Sequence, residues 1–497
     1  MSHGSTTPPA DTSLTAKGDI AVLRWLVAAT FIVILNETIM INAIPRLTVE
    51  FHVSERTAPW LTTAFMLTMA VVIPVTGWFL QRVTTRQAFA LSMTVFCAGT
   101  LLAALAPVFS VLLVARVIQA TGTAVMMPLL MTTLMSVVPE HDRGRVMGNV
   151  TLAMSVAPAL GPAVSGVILE YLSWRWMFGL VLPVAALIGV AGMVRLRNVG
   201  EPTAGSVDLP SVAMSALGFG GLVYGLSLIG AKDQPVPPAY LVPAGVAVLA
   251  VFVWRQVSLQ RGRGPLLDLR TLTHRTFTLS LALMVVAFMG FLGSMVLLPY
   301  YLQDARGLSI LHTGLLMMPG GLAMGLLGPR VGALFDRYGG RPLVIPGSLG
   351  ILVAMVIFAR VDLSTPYWLI LGMHILLMVS LAAVFTPVFT LGLGAVPRQL
   401  YSHASSLLGT LQQVAGAAGA AVSAAVLTSR TTALIADGAG PNAALAGGMR
   451  LAFVVSAALS VVVVALAFVL PGRLPASSED PSDGGSDVDG ALSASAS

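Results

Sequence analysis

The segment Leu35-Asn36-Glu37-Thr38-Ile39-Met40-Ile41-Asn42 places one carboxylate between two amides inside an otherwise apolar run. A second apolar run carries a single cation, Arg116, seven residues after Phe109. A carboxylate and a guanidinium held away from water are suited to proton exchange. Desolvation strengthens a carboxylate's hold on a proton and a nearby cation weakens it, so a movement that joins and parts the two loads and releases a proton. Eight residues separate Glu37 from Pro45, about 12 Å along a helix, and Arg116 lies about 10 Å into its own run. An ionised group at such depth in hydrocarbon costs ~2.5 to 3.5 kcal/mol and persists mainly where it faces a partner or a water-filled cavity. A static buried ion pair that fixes helix packing is the other reading of the same residues.

Two further clusters bear on movement. In Gly332-x-x-x-Asp336-Arg337-x-Gly339-Gly340-Arg341, glycines permit a tight turn. Asp336 there can bridge Arg337, Arg341 or a neighbouring helix, which makes the cluster a conformational latch. In Ala157-Pro158-Ala159-Leu160-Gly161-Pro162-Ala163-Val164-Ser165-Gly166, small residues allow close helix approach and prolines remove backbone hydrogen bonds. That helix is shaped to pack against a partner.

These residues need elements to hold them, and composition says which. Of 497 residues 56% are hydrophobic and 10% charged, against roughly 25% charged in a soluble domain. Runs of about 20 apolar residues, enough to cross a ~30 Å hydrocarbon core, recur along the chain. Hydropathy places helices near 21–44, 58–80, 87–107, 109–138, 146–171, 174–195, 209–230, 239–258, 276–303, 311–335, 342–360, 366–394, 404–428 and 449–470. With an even number of spans, 18 of the 27 Lys and Arg fall in connections on the side of the termini and 8 on the other. The positive-inside rule then puts both termini in the cytoplasm. Basic residues scattered singly in short connections are membrane topology, not a nucleic-acid surface. One cysteine, Cys97, excludes an intramolecular disulfide and a Cys-type metal site, and no cofactor is expected.

Pro74 to Arg86 lines up with Pro329 to Arg341 at an offset of 255, and Gly161 to Leu169 with Gly419 to Leu427 at 258. Similar offsets point to a duplicated six-helix unit, the arrangement by which many secondary transporters set two bundles about a central site. The expected organisation is a polar N-terminal tail (1–20), a six-helix bundle (21–200), two inserted helices (201–262), a second six-helix bundle (263–472) and a disordered tail (473–497). Aligning Pro45 with Pro299 sets Phe291 opposite Glu37, so proton coupling is expected in the N-terminal half alone.

Through these residues the chain resembles the major facilitator superfamily, specifically its fourteen-helix drug/proton antiporters, over roughly residues 20 to 470. Leu35 to Pro45 resembles the first-helix motif, with Glu37 in the acidic place. Arg116-Val-Ile-Gln119-Ala120-Thr-Gly122 resembles the fourth-helix motif, and Pro158, Gly161, Pro162 and Gly166 belong to a stretch similar to the fifth-helix antiporter motif. The loop motif departs from the pattern in its first copy, which has Gln81 and Thr84 for Asp and Gly, while the Asp336 copy is complete. The resemblance implies an all-α membrane protein of the major facilitator fold that exports hydrophobic or amphipathic drugs in exchange for protons across the plasma membrane. It further implies that Glu37 and Arg116 couple the proton.

Asn36, Asn42, Trp60, Phe65, Met66, Tyr300 and Gln303 stand at heights suited to contacting substrate. The expected partners are a small hydrophobic or amphipathic compound, protons and the bilayer, and the chain is expected to be monomeric. Two alternatives remain: a dedicated exporter of one native metabolite or lipid, and a membrane enzyme or sensor. Nothing in the sequence supplies a nucleotide loop, metal cluster or triad for the latter, and His374 within a span reads as a packed side chain.

Overall fold

The computed structural model describes residues 12–40, 43–54, 57–199, 202–203, 205–229, 236–260 and 264–473, the side chains of residues 12–21, Pro162 and Ile310 excepted. Among these residues there are 14 helices long and apolar enough to cross a membrane, and no strand. A helix satisfies its own backbone hydrogen bonds, the condition that hydrocarbon imposes on a spanning segment.

The first half consists of α1 (Thr12–Ile39), a short α2 (Ile44–Glu50), α3 (Trp60–Phe79), α4 (Thr85–Ala104), α5 (Phe109–Val137), α6 (Arg143–Tyr171) and α7 (Arg175–Arg195). The pair α8 (Leu209–Ser227) and α9 (Pro238–Leu259) follows. The second half holds α10 (Arg275–Tyr300), α11 (Ile310–Tyr338), α12 (Arg341–Phe358), α13 (Tyr367–Gly394), α14 (Tyr401–Ala436) and α15 (Pro441–Val469). The boundaries of α1, α14 and α15 differ most from the hydropathy reading. Helix α1 begins at Thr12, inside the expected tail, because extending an existing helix needs no new nucleus. It then breaks after Ile39, so the single run 21–44 becomes α1 and α2. Helix α15 starts at Pro441 rather than near 449, since Ala-rich flanks propagate both helices up to the turn at Gly438 (φ 88°) and Gly440. Residues 1–11 and 474–497 lie outside the described residues.

Within the first half α1 packs on α5, α6 and α7, and α4 on α5 and α7; within the second, α10 packs on α13, α14 and α15, and α12 on α13 and α15. The halves meet along two seams, α6 against α11 and α3 against α14. Glycine makes the first possible: a β-carbon on Gly148 would collide with the backbone of Gly328. The α6–α11 contact runs from Gly144 and Gly332 up to Ala159 and Gly321, and the α3–α14 contact from Gln81 and Gln399 up to Ile73 and Gly409. Each seam therefore closes the face that holds Arg82, Arg143, Arg337 and Arg398, here called the arginine-rich face. Toward the opposite face α1 and α10 make no extended contact.

The inserted pair lies over the α3–α14 seam, with α8 packed on both helices. Asp208 caps α8 through the Ser211 amide (3.1 Å) and grips the Arg255 guanidinium of α9 at 2.8 Å through each oxygen. The Arg255 hydrogen bonds hold the Asp208 carboxyl well below the usual carboxylate range. Gln256 then accepts the amides of Leu266 and Leu267 (2.8 and 3.1 Å), tying the pair to the connector that enters α10.

Candidate functional site

Arg116 is fully buried. Its Nη1 donates to Gln119 Oε1 (3.0 Å), Gln119 Nε2 donates to Thr100 Oγ1 (2.9 Å), and Thr100 Oγ1 donates to the Phe96 carbonyl (2.7 Å). Its Nε reaches the Leu61 carbonyl of α3 at 3.4 Å, and the guanidinium lies 4.2 Å from the centre of the Phe65 ring. Gly99 lets α4 approach closely enough for this network, since a β-carbon there would stand 2.6 Å from the Gln119 nitrogen. One end of the guanidinium, Nη2, has no partner. A buried guanidinium nitrogen left unpaired is costly, so this charge is held in place with part of its bonding capacity unspent.

Glu37, on the last turn of α1, is half-buried. Arg116 is the charged side chain that acts on it across the bundle, yet the two form no direct ion pair, and no described residue donates a hydrogen bond to the carboxylate. Its depth is fixed independently by its neighbour. Thr38 lies against Gly161 of α6, ten residues before that helix ends, or about 15 Å along its axis. Asn36 is buried with both amide atoms unpartnered. Asn42 lies outside the described residues.

Helix α6 runs unbroken through Pro158 and Pro162. Gly161 meets Thr38, and Ala159 touches Gly321 of α11, so this stretch contacts α1 on one side and the opposite half on the other. Gly166 departs from expectation: a β-carbon there would meet nothing within 4 Å, and the position takes no part in close packing.

The latch is resolved in favour of a neighbouring helix. Asp336 accepts the backbone amides of Gly144 and Arg145, each at 2.7 Å, at the N-terminus of α6. That end has free amides and positive dipole character, which suit a carboxylate. Arg337 instead lies over the Tyr338 ring, and Arg341 donates to the Phe468 carbonyl, because the turn at Gly339 (φ 84°) sends the chain on toward α12 and α15. The substituted first copy still bridges the halves: Gln81 Nε2 donates to the Gln399 carbonyl at 3.0 Å. Sequence reasoning missed Arg143, which bonds the Met135 and Val138 carbonyls and the Tyr401 hydroxyl of α14.

The positions chosen as pocket residues separate. Phe65 packs under Arg116. Trp60 turns outward and packs against Tyr224 of α8, ring centres 5.5 Å apart, because a bulky ring at that end is covered by the inserted helix. Met66 is exposed and lies seven residues from Ile73, hence on the same stripe of α3 that meets α14. Tyr300 is exposed at the end of α10, and Gln303 is half-buried in the π-helical turn Tyr301–Ala305. The wall that the sequence did not reveal lies between the halves. Met127, Met131, Phe389, Leu408 and Gln412 line a small cavity there, and Phe288, Phe291 and Phe385 pack as an aromatic triad with centres 5.7 to 6.2 Å apart. The repeat held the one available signal, since Phe291 stands opposite Glu37 in it. At the 258-residue offset His374 takes the place of Arg116; it is buried, its ring faces the Met317 carbonyl, and no charged side chain acts on it.

The arrangement offers a partly open carboxylate near a buried guanidinium, an apolar and aromatic facing wall, and two seams closed on one face. The family model described as Major Facilitator Superfamily matches residues 26–420. Lincomycin resistance protein LmrB of Listeria monocytogenes is 38% identical over 442 residues, covering 88% of this chain and 93% of that protein. Putative multidrug resistance protein MdtD of Salmonella newport is 30% identical over 412 residues, covering 81% and 85%. Among solved structures, the human organic anion transporter MFSD10 superposes with a TM-score of 0.60 at 15% identity, covering 93% of this chain and 100% of that one. The proton:xylose symporter XylE superposes with a TM-score of 0.62 at 15% identity, covering 92% and 97%.

Proposed function

We propose that this chain, which belongs to the Major Facilitator Superfamily and to its drug-efflux branch, exports hydrophobic or amphipathic compounds across the cell membrane in exchange for protons. The reading rests on Glu37, a half-buried carboxylate without a hydrogen-bond donor, within electrostatic reach of a fully buried arginine whose Nη2 is uncommitted. An ionised Glu37 draws on Arg116; a protonated Glu37 releases it. A cationic or polarisable substrate entering the cleft competes for the same carboxylate, so proton and substrate exclude each other, which is the requirement for exchange. The aromatic triad of the second half and Met127 and Met131 of α5 favour a lipophilic occupant over a polar one.

Movement follows from contacts already described. Thr38 presses on Gly161, Ala159 touches Gly321, and Asp336 at the far end of α11 caps α6. A shift of α1 on protonation of Glu37 therefore acts on the seam that must part. The charge bias supports placing the arginine-rich face and both termini in the cytoplasm, with the cleft open outward. A proton entering under a membrane potential gains ~2.3 kcal/mol per 100 mV, enough to sustain a useful gradient of substrate. The names of the relatives support an antibiotic or other drug as cargo.

The decisive measurement is export from proteoliposomes under an imposed pH gradient. Glu37→Gln is expected to abolish the response to the gradient and, as a stand-in for the protonated carboxyl, to weaken binding of a cationic substrate. Equal acceleration of wild type and Glu37→Gln by the gradient would reject the proposal. A resistance profile confined to one compound would narrow the function to a dedicated exporter.

A further inference from the structure

A histidine is sealed into the α3–α14 seam on the arginine-rich face. His403, in the first turn of α14, is 4% exposed, and its Nδ1 has no hydrogen-bond partner. It lies so close to α3 that a β-carbon on Gly77 would stand 3.0 Å from that nitrogen. Neutral hydrogen bonds flank it: Ser406 Oγ donates to the Ile73 carbonyl at 2.5 Å, and Gln81 Nε2 to the Gln399 carbonyl at 3.0 Å.

Three charged side chains act on the imidazole. Asp268 and Arg270 come from the connector after the inserted pair, and Arg82 from the end of α3; no charged side chain of α5, α8, α10, α13 or α15 joins them. Asp268 is already engaged, because Arg270 donates to both of its oxygens at 2.6 to 3.1 Å. Arg82 adds a cation whose Nε is itself unpartnered. An imidazolium in the closed seam would be a dehydrated charge among two guanidiniums and a carboxylate with no free capacity.

We propose that His403 is a proton-binding site of the cytoplasmic gate: the α3–α14 seam closes on the neutral imidazole, and a proton taken from the cytosol at His403 holds it open. The proposal rests on the sidedness given above. Once the seam parts, His403 meets water and titrates near the ordinary imidazole value of about 6.5. Closing then requires that the proton leave, so below that value each pH unit favours the open gate by about tenfold. Protons delivered by exchange would thus slow the return of the gate as the cytosol acidifies, a brake on further proton entry.

The test uses spin labels at positions 86 and 398, exposed on either side of this seam, introduced as Arg86→Cys and Arg398→Cys with Cys97→Ser. Glu37→Gln is carried throughout, so the result does not depend on the exchange chemistry proposed for Glu37. The inter-label distance in lipid nanodiscs is expected to lengthen from about pH 8 to about pH 5.5 with a midpoint near ~6.5. His403→Asn and His403→Gln are expected to hold the short distance throughout. No lengthening with His403 present, or lengthening that survives both replacements, overturns the proposal.

Discussion

Gly161 of α6 lies directly beneath Thr38 of α1, so close that a β-carbon at Gly161 would overlap the threonine side chain. The contact places the residue next to Glu37 against the helix that also forms the seam between the halves. The chain neighbour of Glu37 and the helix of the α6–α11 seam are therefore one van der Waals layer apart.

Gly161→Ala is expected to separate α1 from α6 at an overpacking cost of ~1 to 3 kcal/mol and to reduce export by roughly tenfold or more. Thr38→Ala, which removes the overlapping hydroxyl, should restore part of the loss. A double-mutant cycle on export rate and on melting temperature checks this. Effects that simply add would show that the two side chains do not act on each other.

Asp336→Asn keeps the shape but offers one acceptor oxygen to the two amides of Gly144 and Arg145. Losing a charge-assisted bond costs ~1.5 to 3 kcal/mol, which is about a tenfold to hundredfold shift toward the parted α6–α11 seam. Gln81→Ala removes one neutral bond, worth ~0.5 to 1.5 kcal/mol, and should shift the other seam less. Cross-linking yield between cysteines at 145 and 337, exposed on facing helices, measures the first shift, and between cysteines at 86 and 398 the second. A larger effect from Gln81→Ala would reverse the assigned ranking.

The Asp208 to Arg255 clamp carries a pH signature. Because the folded carboxyl is held below its usual value by Arg255, its contribution to stability is fully present above the unfolded value of about 3.9 and is lost as pH falls below it. Wild type should therefore melt above Asp208→Asn by a constant margin from about pH 8 down to about pH 4, and the margin should shrink in more acid solution. Thermal unfolding in detergent gives the comparison, and a margin that grows with acidity would reject the clamp.

The spans were legible because apolar length is a local property: a run of about 20 residues crosses the hydrocarbon whatever surrounds it. Glu37 and Arg116 were legible for a related reason, since a charge inside such a run is conspicuous. The duplicated half was legible from two matching offsets. Less was readable where rotation mattered. Phe65 and Met66 are adjacent, yet one packs under Arg116 and the other is exposed. Asp336 found its partners 191 and 192 residues away, not among the arginines beside it.

Sequence by itself thus determined the number of crossings, the two charges within them and the doubling of the bundle. Tertiary structure decided which way each helix turns, that the seams close on the arginine-rich face, that Trp60 belongs to the inserted pair, and that His403 is sealed between the halves. The physical reason is that lipid and protein interior are both apolar, so a spanning helix carries little amphipathic signal to mark its inner face. Its rotation is set by close packing at small residues such as Gly161 and Gly148, and that fit exists only once the partner helix is in place.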